Sequence, residues 1–297
     1  MRVAVTGGAG FLGSHVADVL RSEGHEVTVI DLAQTTRQPS LIVNILDRSA
    51  LRAAFAGADA VCHLAGVGDV YVAQADPAAA ARANVEGSAV AANAAADAGV
   101  ARFVYASTWE VYGEPQYQPL DEDHPCAPDH PYSITKLAGE RVALAIGKLR
   151  SLHTVALRLG TAYGTRMRPN SVFSIFIQRA RRGEPLVLHG SGGQARQFTH
   201  ASDIGRGFLA AIERGRPARV YNLVGDEVTT IADLAHIVVD SFPTRIEHVA
   251  VREFDVPSAC VSSERARSEL GWHATVPLRE GMRELMEAAT NLRSVPR

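Results

Sequence analysis

The sequence is poor in cysteine, in lysine, in net charge and in long apolar runs, and each shortage closes off a class of protein. Its three cysteines, Cys62, Cys126 and Cys260, are odd in number, far apart and free of any C-x-x-C spacing. They suggest neither a disulfide framework nor a thiolate metal site, and a reducing, cytoplasmic setting is expected. No pair of histidines with a carboxylate falls at a compact spacing such as H-E-x-x-H, so no metal is expected. The formal charge of −2 and the pI near 6.6 provide no basic face for a polyanion, which argues against nucleic acid as a partner. Nowhere do about eighteen apolar residues follow one another, as a membrane span requires. The Ala-rich stretch 78–98, the nearest approach, is broken by Arg82, Asn84, Glu86, Asn93 and Asp97, and no membrane association is expected. The chain opens straight into Val3-Ala4-Val5 with no basic n-region, so no targeting segment is expected.

What is present is an ordinary globular composition, 46% hydrophobic and 21% charged in 297 residues. That length suits one large α/β unit or two closely joined ones. Short β-branched apolar runs at 3–6, 27–31, 60–64, 103–107 and 154–159 alternate with amphipathic stretches, a rhythm that predicts a parallel sheet. Between the first two runs Leu12, Val16, Val19 and Leu20 share one helical face, and Gly24 stands where a helix end is expected. From residue 164 onward the pattern loosens into Gly-rich connections such as Gly190-Ser191-Gly192-Gly193, with helices predicted at 202–214 and 230–241. A smaller second unit is expected there. Asp121-Glu122-Asp123 reads as a solvated turn.

Thr6-Gly7-Gly8-Ala9-Gly10-Phe11-Leu12-Gly13 contains both G-x-x-G-x-x-G and G-x-G-x-x-G, placed between a strand and a helix. Glycine allows a tight turn and close approach to a pyrophosphate, and the helix N-terminus adds N–H donors and a positive dipole. Asp31 ends the second strand, where a carboxylate can accept from ribose hydroxyls, which favours NAD over NADP. The alternative is a plain strand-to-helix turn with Asp31 capping a loop. Together these features predict an α/β fold, a Rossmann-type doubly wound parallel sheet with a smaller C-terminal substrate-binding domain. Tyr132 and Lys136 stand four apart, on one helical face. An ammonium beside a phenol favours the phenolate. Of the 30 basic residues only Lys136 and Lys148 are lysine, yet the pair also suits a surface tyrosine packed on a lysine stem.

Taken together, TGGAGFLG at 6–13, HLAG at 63–66, NVEG at 84–87, STWEVYG at 107–113 and PYSITKLAGE at 131–140 resemble the extended short-chain dehydrogenase/reductases. The likeness continues through 158–164, 196–203 and Leu270-Gly271-Trp272, segments typical of the nucleotide-sugar epimerases and dehydratases among them. The resemblance implies a cofactor domain at 1–163 with a return segment near 198–224, and a substrate domain at 164–297. It makes Tyr132 the general base, Lys136 the holder of the nicotinamide ribose, and Thr108 the partner of the reacting sugar oxygen. Gly7, Gly10 and Gly13 would surround the pyrophosphate above Phe11 and Leu12. Asp31 and Leu32, Asn44 and Ile45, and Leu64-Ala65-Gly66 would complete the NAD cleft, with Asn84 bracing its wall. His63 reads as a packed strand-end histidine, not a base. A homodimer is implied, through helices near 85–98 and 132–148 where Ala91, Ala95 and Ala98 permit close approach.

The chain departs from that pattern at three points. Asn44 stands where relatives commonly place an acid toward adenine, and Thr161 where they place an asparagine toward the substrate. Trp109 replaces the aspartate with which sugar 4,6-dehydratases protonate the leaving hydroxyl, and an indole has no acidic group. Glu110 resembles a catalytic glutamate of the dehydratases and UDP-glucuronate decarboxylases, or is an exposed strand-end carboxylate. Arg196 and Arg252 align with diphosphate-binding arginines and read equally as surface residues. The expected activity is NAD-dependent epimerisation of a UDP-linked sugar at C4 through a 4-keto intermediate. The alternatives are a UDP-glucuronate decarboxylase, a 4-keto reductase or a non-catalytic dinucleotide sensor.

Overall fold

Val3, Ala4 and Val5 bury every side chain, which is what a strand covered on both faces requires. In a computed structural model that describes residues 1–35, 37, 39–250 and 259–291, they form β1 (Arg2–Thr6), followed by α1 (Phe11–Ser22), β2 (Glu26–Asp31), β3 (Ser40–Ile42) and α2 (Arg48–Ala54). Next come β4 (Ala60–His63), two short helices, α3 (Val70–Ala75) and α4 (Pro77–Ala81), a wide π-helical turn at Arg82–Glu86, and α5 (Gly87–Asp97). β5 (Arg102–Thr108), α6 (Pro131–Leu149) and β6 (His153–Leu159) complete the first half. The five strands predicted from apolar runs are thus found, with ends shifted by a residue or so. Strand β3 was not foreseen: it is short and half exposed, and carries no alternation to read.

The second half contributes β7 (Thr161–Tyr163), α7 (Val172–Arg181), β8 (Leu186–His189), β9 (Ala195–His200), α8 (Ala201–Arg214), β10 (Arg219–Leu223), β11 (Val228–Thr230), α9 (Ile231–Ser241), β12 (Ile246–Val249) and α10 (Leu278–Asn291). A seven-stranded parallel sheet runs β10-β6-β5-β4-β1-β2-β3. Strand order therefore reverses between β1 and β4, and in such sheets the crevice at the carboxyl ends of the strands at that point receives the ligand. β11-β9-β7 and β12-β8 form two small sheets.

Two cores result. One packs α1 and α8 against the large sheet through Val16, Leu20, Ile204 and Phe208, joined by Ala266, Leu270 and Trp272, so the chain comes back to this core twice. The other gathers Phe173, Phe176, Leu234, Met282 and their neighbours around the small sheets. Among the described residues no helix is long and apolar enough to cross a membrane.

Two expectations need correction. In Asp121-Glu122-Asp123 only Asp123 is exposed. The Glu122 side chain is 2% exposed, accepts from the Asn222 N–H at 2.7 Å and pairs with Arg265 at 3.5 Å. Its partners lie far along the chain, which local composition cannot reveal. Ala91 and Ala95 do not offer a surface to a second copy, because both are buried against Leu51 and Phe55 in the protomer's own core. Phe208→Ala, which empties the α1–α8 contact, is expected to cost about 3–5 kcal/mol, read as a lowered urea midpoint with unchanged slope.

Candidate functional site

The crevice between β1 and β4 is a cleft of about 1070 Å³. Its floor is the glycine turn. Gly7 has φ 71°, and a Cβ there would come within 2.7 Å of the Ala65 backbone nitrogen, while one on Gly13 would lie 2.1 Å from the Gly7 carbonyl oxygen. Only hydrogen at both positions lets α1 start directly beneath the cleft. Gly10 caps α1 in an extended conformation with no side-chain acceptor, so the first N–H groups of the helix are available to an anion. Asp31 Oδ2 accepts from the Ala9 N–H at 3.0 Å and Oδ1 from that of Ala33 at 3.2 Å, so one carboxylate both braces this turn and borders the cleft. Leu32, Asn44, Ile45, Leu64, Ala65 and Gly66 border it too.

Asn84 lies behind that wall, in the π-helical turn. Its Oδ1 accepts from the Val67 N–H at 2.8 Å, and its Nδ2 donates to the Val67 carbonyl at 3.1 Å and to Thr135 Oγ1 at 3.0 Å. The wall is thereby tied to α6, which carries Tyr132 and Lys136.

Tyr132, Lys136, Thr108 and Glu110 meet at the other end of the cleft, with Thr161 close by. Lys136, one turn after Tyr132 on α6, is turned toward β5. The lysine donates to the Ala106 carbonyl and sits 4.6 Å above the Tyr105 ring. Burial lowers the Lys136 ammonium to about 8, against the pull of Glu140. Burial and the Glu110 carboxylate push the Tyr132 phenol up, while a hydrogen bond with Thr108 and the charge of Arg168 oppose the rise. Sharing a helical face did not decide where so long a side chain would donate. Beneath this group Arg158 binds Glu140 through two donors, at 2.7 and 3.1 Å, and Ser107 donates to the same carboxylate at 2.6 Å. All three side chains are buried.

A profile of the NAD-dependent epimerase/dehydratase family matches residues 3–224. The chain belongs to that family. A dTDP-glucose 4,6-dehydratase of Streptomyces niveus is 31% identical over 97% of the chain and 92% of its own length. A UDP-glucuronic acid decarboxylase 1 of Danio rerio is 30% identical over 96% of the chain and 72% of its own length. The crystal structure of a UDP-glucose 4-epimerase of Thermotoga maritima, with UDP-glucose, superimposes with a TM-score of 0.92 at 28% identity, covering 99% of this chain and all of that one.

The cofactor of this epimerase/dehydratase is NAD, and the glycine turn, the uncapped start of α1 and Asp31 are the fitting donor and acceptor set for it. Of the residues singled out in the sequence, Asn84 stands behind the cleft. Arg196 lines a separate small hollow with Trp109 and Thr161, its Nη1 donating to the Ala195 carbonyl at 2.7 Å. Arg252 lies outside the described residues. His63 is a buried strand end between Thr6 and Ser88, held near 3 by burial and the Lys136 charge. Among the described residues no cluster of histidine, cysteine or carboxylate side chains could hold a metal.

The sequence reading missed Arg168, which borders the cleft and pairs with Asp69 across it. The segment carrying Arg168 is held on α1, where His15 Nε2 meets the Thr165 carbonyl at 2.8 Å and Arg166 pairs with Asp18 at 2.9 Å. It also missed His130, which the Pro131-Tyr132 helix start could have flagged as a cap. Gly13→Ala is expected to weaken NAD binding by more than about tenfold, measured by calorimetric titration, because the added methyl must displace the Gly7 carbonyl.

Proposed function

We propose that this epimerase/dehydratase inverts a UDP-linked sugar at C4 by way of a transient 4-keto sugar. The observation that carries the reading is the Thr108-Trp109-Glu110 triplet at the reactive end of the cleft. Tyr132, Lys136 and Thr108 border one space, as oxidation of a secondary alcohol needs, while Trp109 offers no acid to a leaving hydroxyl. Bound NAD supplies a hydride acceptor that can also return what it takes. Tyr132 removes the proton from the C4 hydroxyl and later restores it, and Thr108 holds the same oxygen and lowers the cost of the phenolate. Lys136, fixed on the Ala106 carbonyl, presents its remaining N–H donors toward the cofactor ribose. Thr161 borders the cleft on the substrate side, and Arg196 stands by to receive the diphosphate.

A second reading, decarboxylation of UDP-glucuronate, is favoured by Glu110, whose carboxylate borders the cleft beside Tyr132. We infer also that two copies pair through α5 and α6, using part-exposed apolar positions such as Val90 and Leu144 in place of Ala91 and Ala95; sedimentation velocity would measure this.

Incubation with NAD and UDP-glucose, UDP-N-acetylglucosamine or UDP-glucuronate, followed by anion exchange and mass measurement, tests the function. A new peak of unchanged mass supports epimerisation, loss of carbon dioxide replaces it with the second reading, and loss of water overturns both. Tyr132→Phe is expected to lower kcat by about 10²- to 10⁴-fold, the usual contribution of a positioned acid-base group.

A further inference from the structure

The segment that follows β7 is anchored on both sides of the crevice, and the reaction above gives it no task. Val3 and Val5 face α1 and α8, while Ala4 faces α2, α5 and α6, so these helices cover opposite faces of the large sheet. At its start the segment rests on the first face. The Thr165 carbonyl meets His15 Nε2 at 2.8 Å and Arg166 reaches Asp18 at 2.9 Å, both on α1. At its end Arg168 pairs with Asp69, the N-cap of α3, and α3 lies against α6 on the second face. Between these anchors the chain passes over the carboxyl end of the sheet, and Met167 and Arg168 border the cleft as it does so. Arg166 turns the path with a φ of 66°, a left-handed conformation that a residue with a side chain keeps only where its surroundings enforce it.

We propose that residues 165–168 form a strap over bound NAD, with Arg168 and Asp69 as its clasp. The glycine turn receives the pyrophosphate at the floor of the crevice, and the strap crosses the same crevice above it. A dinucleotide seated there passes the clasp only while the pair is open. The two oxygens of Asp69 divide the work. Oδ1 accepts from the N–H groups of Tyr71 and Val72, at 2.8 and 3.2 Å, and Oδ2 takes Arg168. Capping α3 fixes the carboxylate in advance, so closing the clasp orders chiefly the arginine. Arg168 is exposed, and an exposed pair of this kind favours closed over open by no more than about fivefold. The strap therefore slows exchange of the cofactor without forbidding it. The inference needs NAD and no particular sugar.

A clasp and a direct ligand leave different kinetic marks. Opening a clasp more often speeds entry and release alike and leaves the dissociation constant where it was, whereas losing a contact to the cofactor speeds release and weakens binding in step. The test uses the full chain loaded with NADH and chased with excess NAD, release being followed by NADH fluorescence and the dissociation constant by fluorescence titration. Asp69→Asn removes one charge and keeps a cap of equal quality, and Arg168→Gln removes the other partner. Each is expected to speed release by about two- to fivefold with an unchanged dissociation constant, and the double variant by no more than either alone. Release at the wild-type rate in the single variants overturns the proposal, as does a double variant in which the two effects multiply. A dissociation constant that rises in step with release in Arg168→Gln, with Asp69→Asn unaltered, also overturns it and makes Arg168 a direct ligand of the cofactor. No sugar is present, so failure of the sugar panel and failure of this proposal are separate results.

Discussion

The reactive end of the cleft depends on a single buried ion pair. Arg158 on β6 grips Glu140 on α6 with two donors, and Ser107 on β5 completes the carboxylate, so three elements are pinned at one point. Glu140 follows Lys136 by one turn, and Ser107 precedes Thr108. Placement of Tyr132, Lys136 and Thr108 is therefore inherited from this contact. Such a pair adds little net stability, since both ions must leave water, but breaking it by removing one partner costs about 3–5 kcal/mol. Its value lies in geometry. An apolar substitute of equal volume would fill the space without fixing which turn of α6 faces β5.

Around that point the fold divides its work. The large sheet provides an opening where strand order reverses, and glycine at two positions brings a helix end to the floor of it. The second core, with its small sheets, stands on the other side of the cleft and contributes the segment that follows β7. Arg168 crosses from that segment to Asp69, and Thr165 and Arg166 rest on α1. The segment after β7 and the glycine-turn side of the cleft are thereby in direct polar contact.

Much of this was legible in the sequence because much of it is local. A strand buried on both faces announces itself as an unbroken apolar run, and the glycine turn is a backbone requirement written in consecutive residues. The second half was less legible: its strands are short, and β8 and β12 pair across a stretch that holds β9, α8, β10, β11 and α9. Distant partners defeated the reading elsewhere. Nothing beside Glu122 in the chain foretells Arg265, nothing on α5 says that Ala91 and Ala95 turn inward, and four-residue spacing places Tyr132 and Lys136 together without revealing that the ammonium ends on Ala106. His130 and Glu110 are twenty residues apart, and only the folded chain makes them neighbours.

The scarcity of lysine has a practical side. Lys136 is buried with its ammonium committed to β5, whereas Lys148, three turns further along α6, is exposed. Apart from the amino terminus, a reagent that couples to amines therefore meets one accessible target on the entire surface. The protein can be tethered, tagged or bound to a support at the far end of α6 with its cleft left chemically intact.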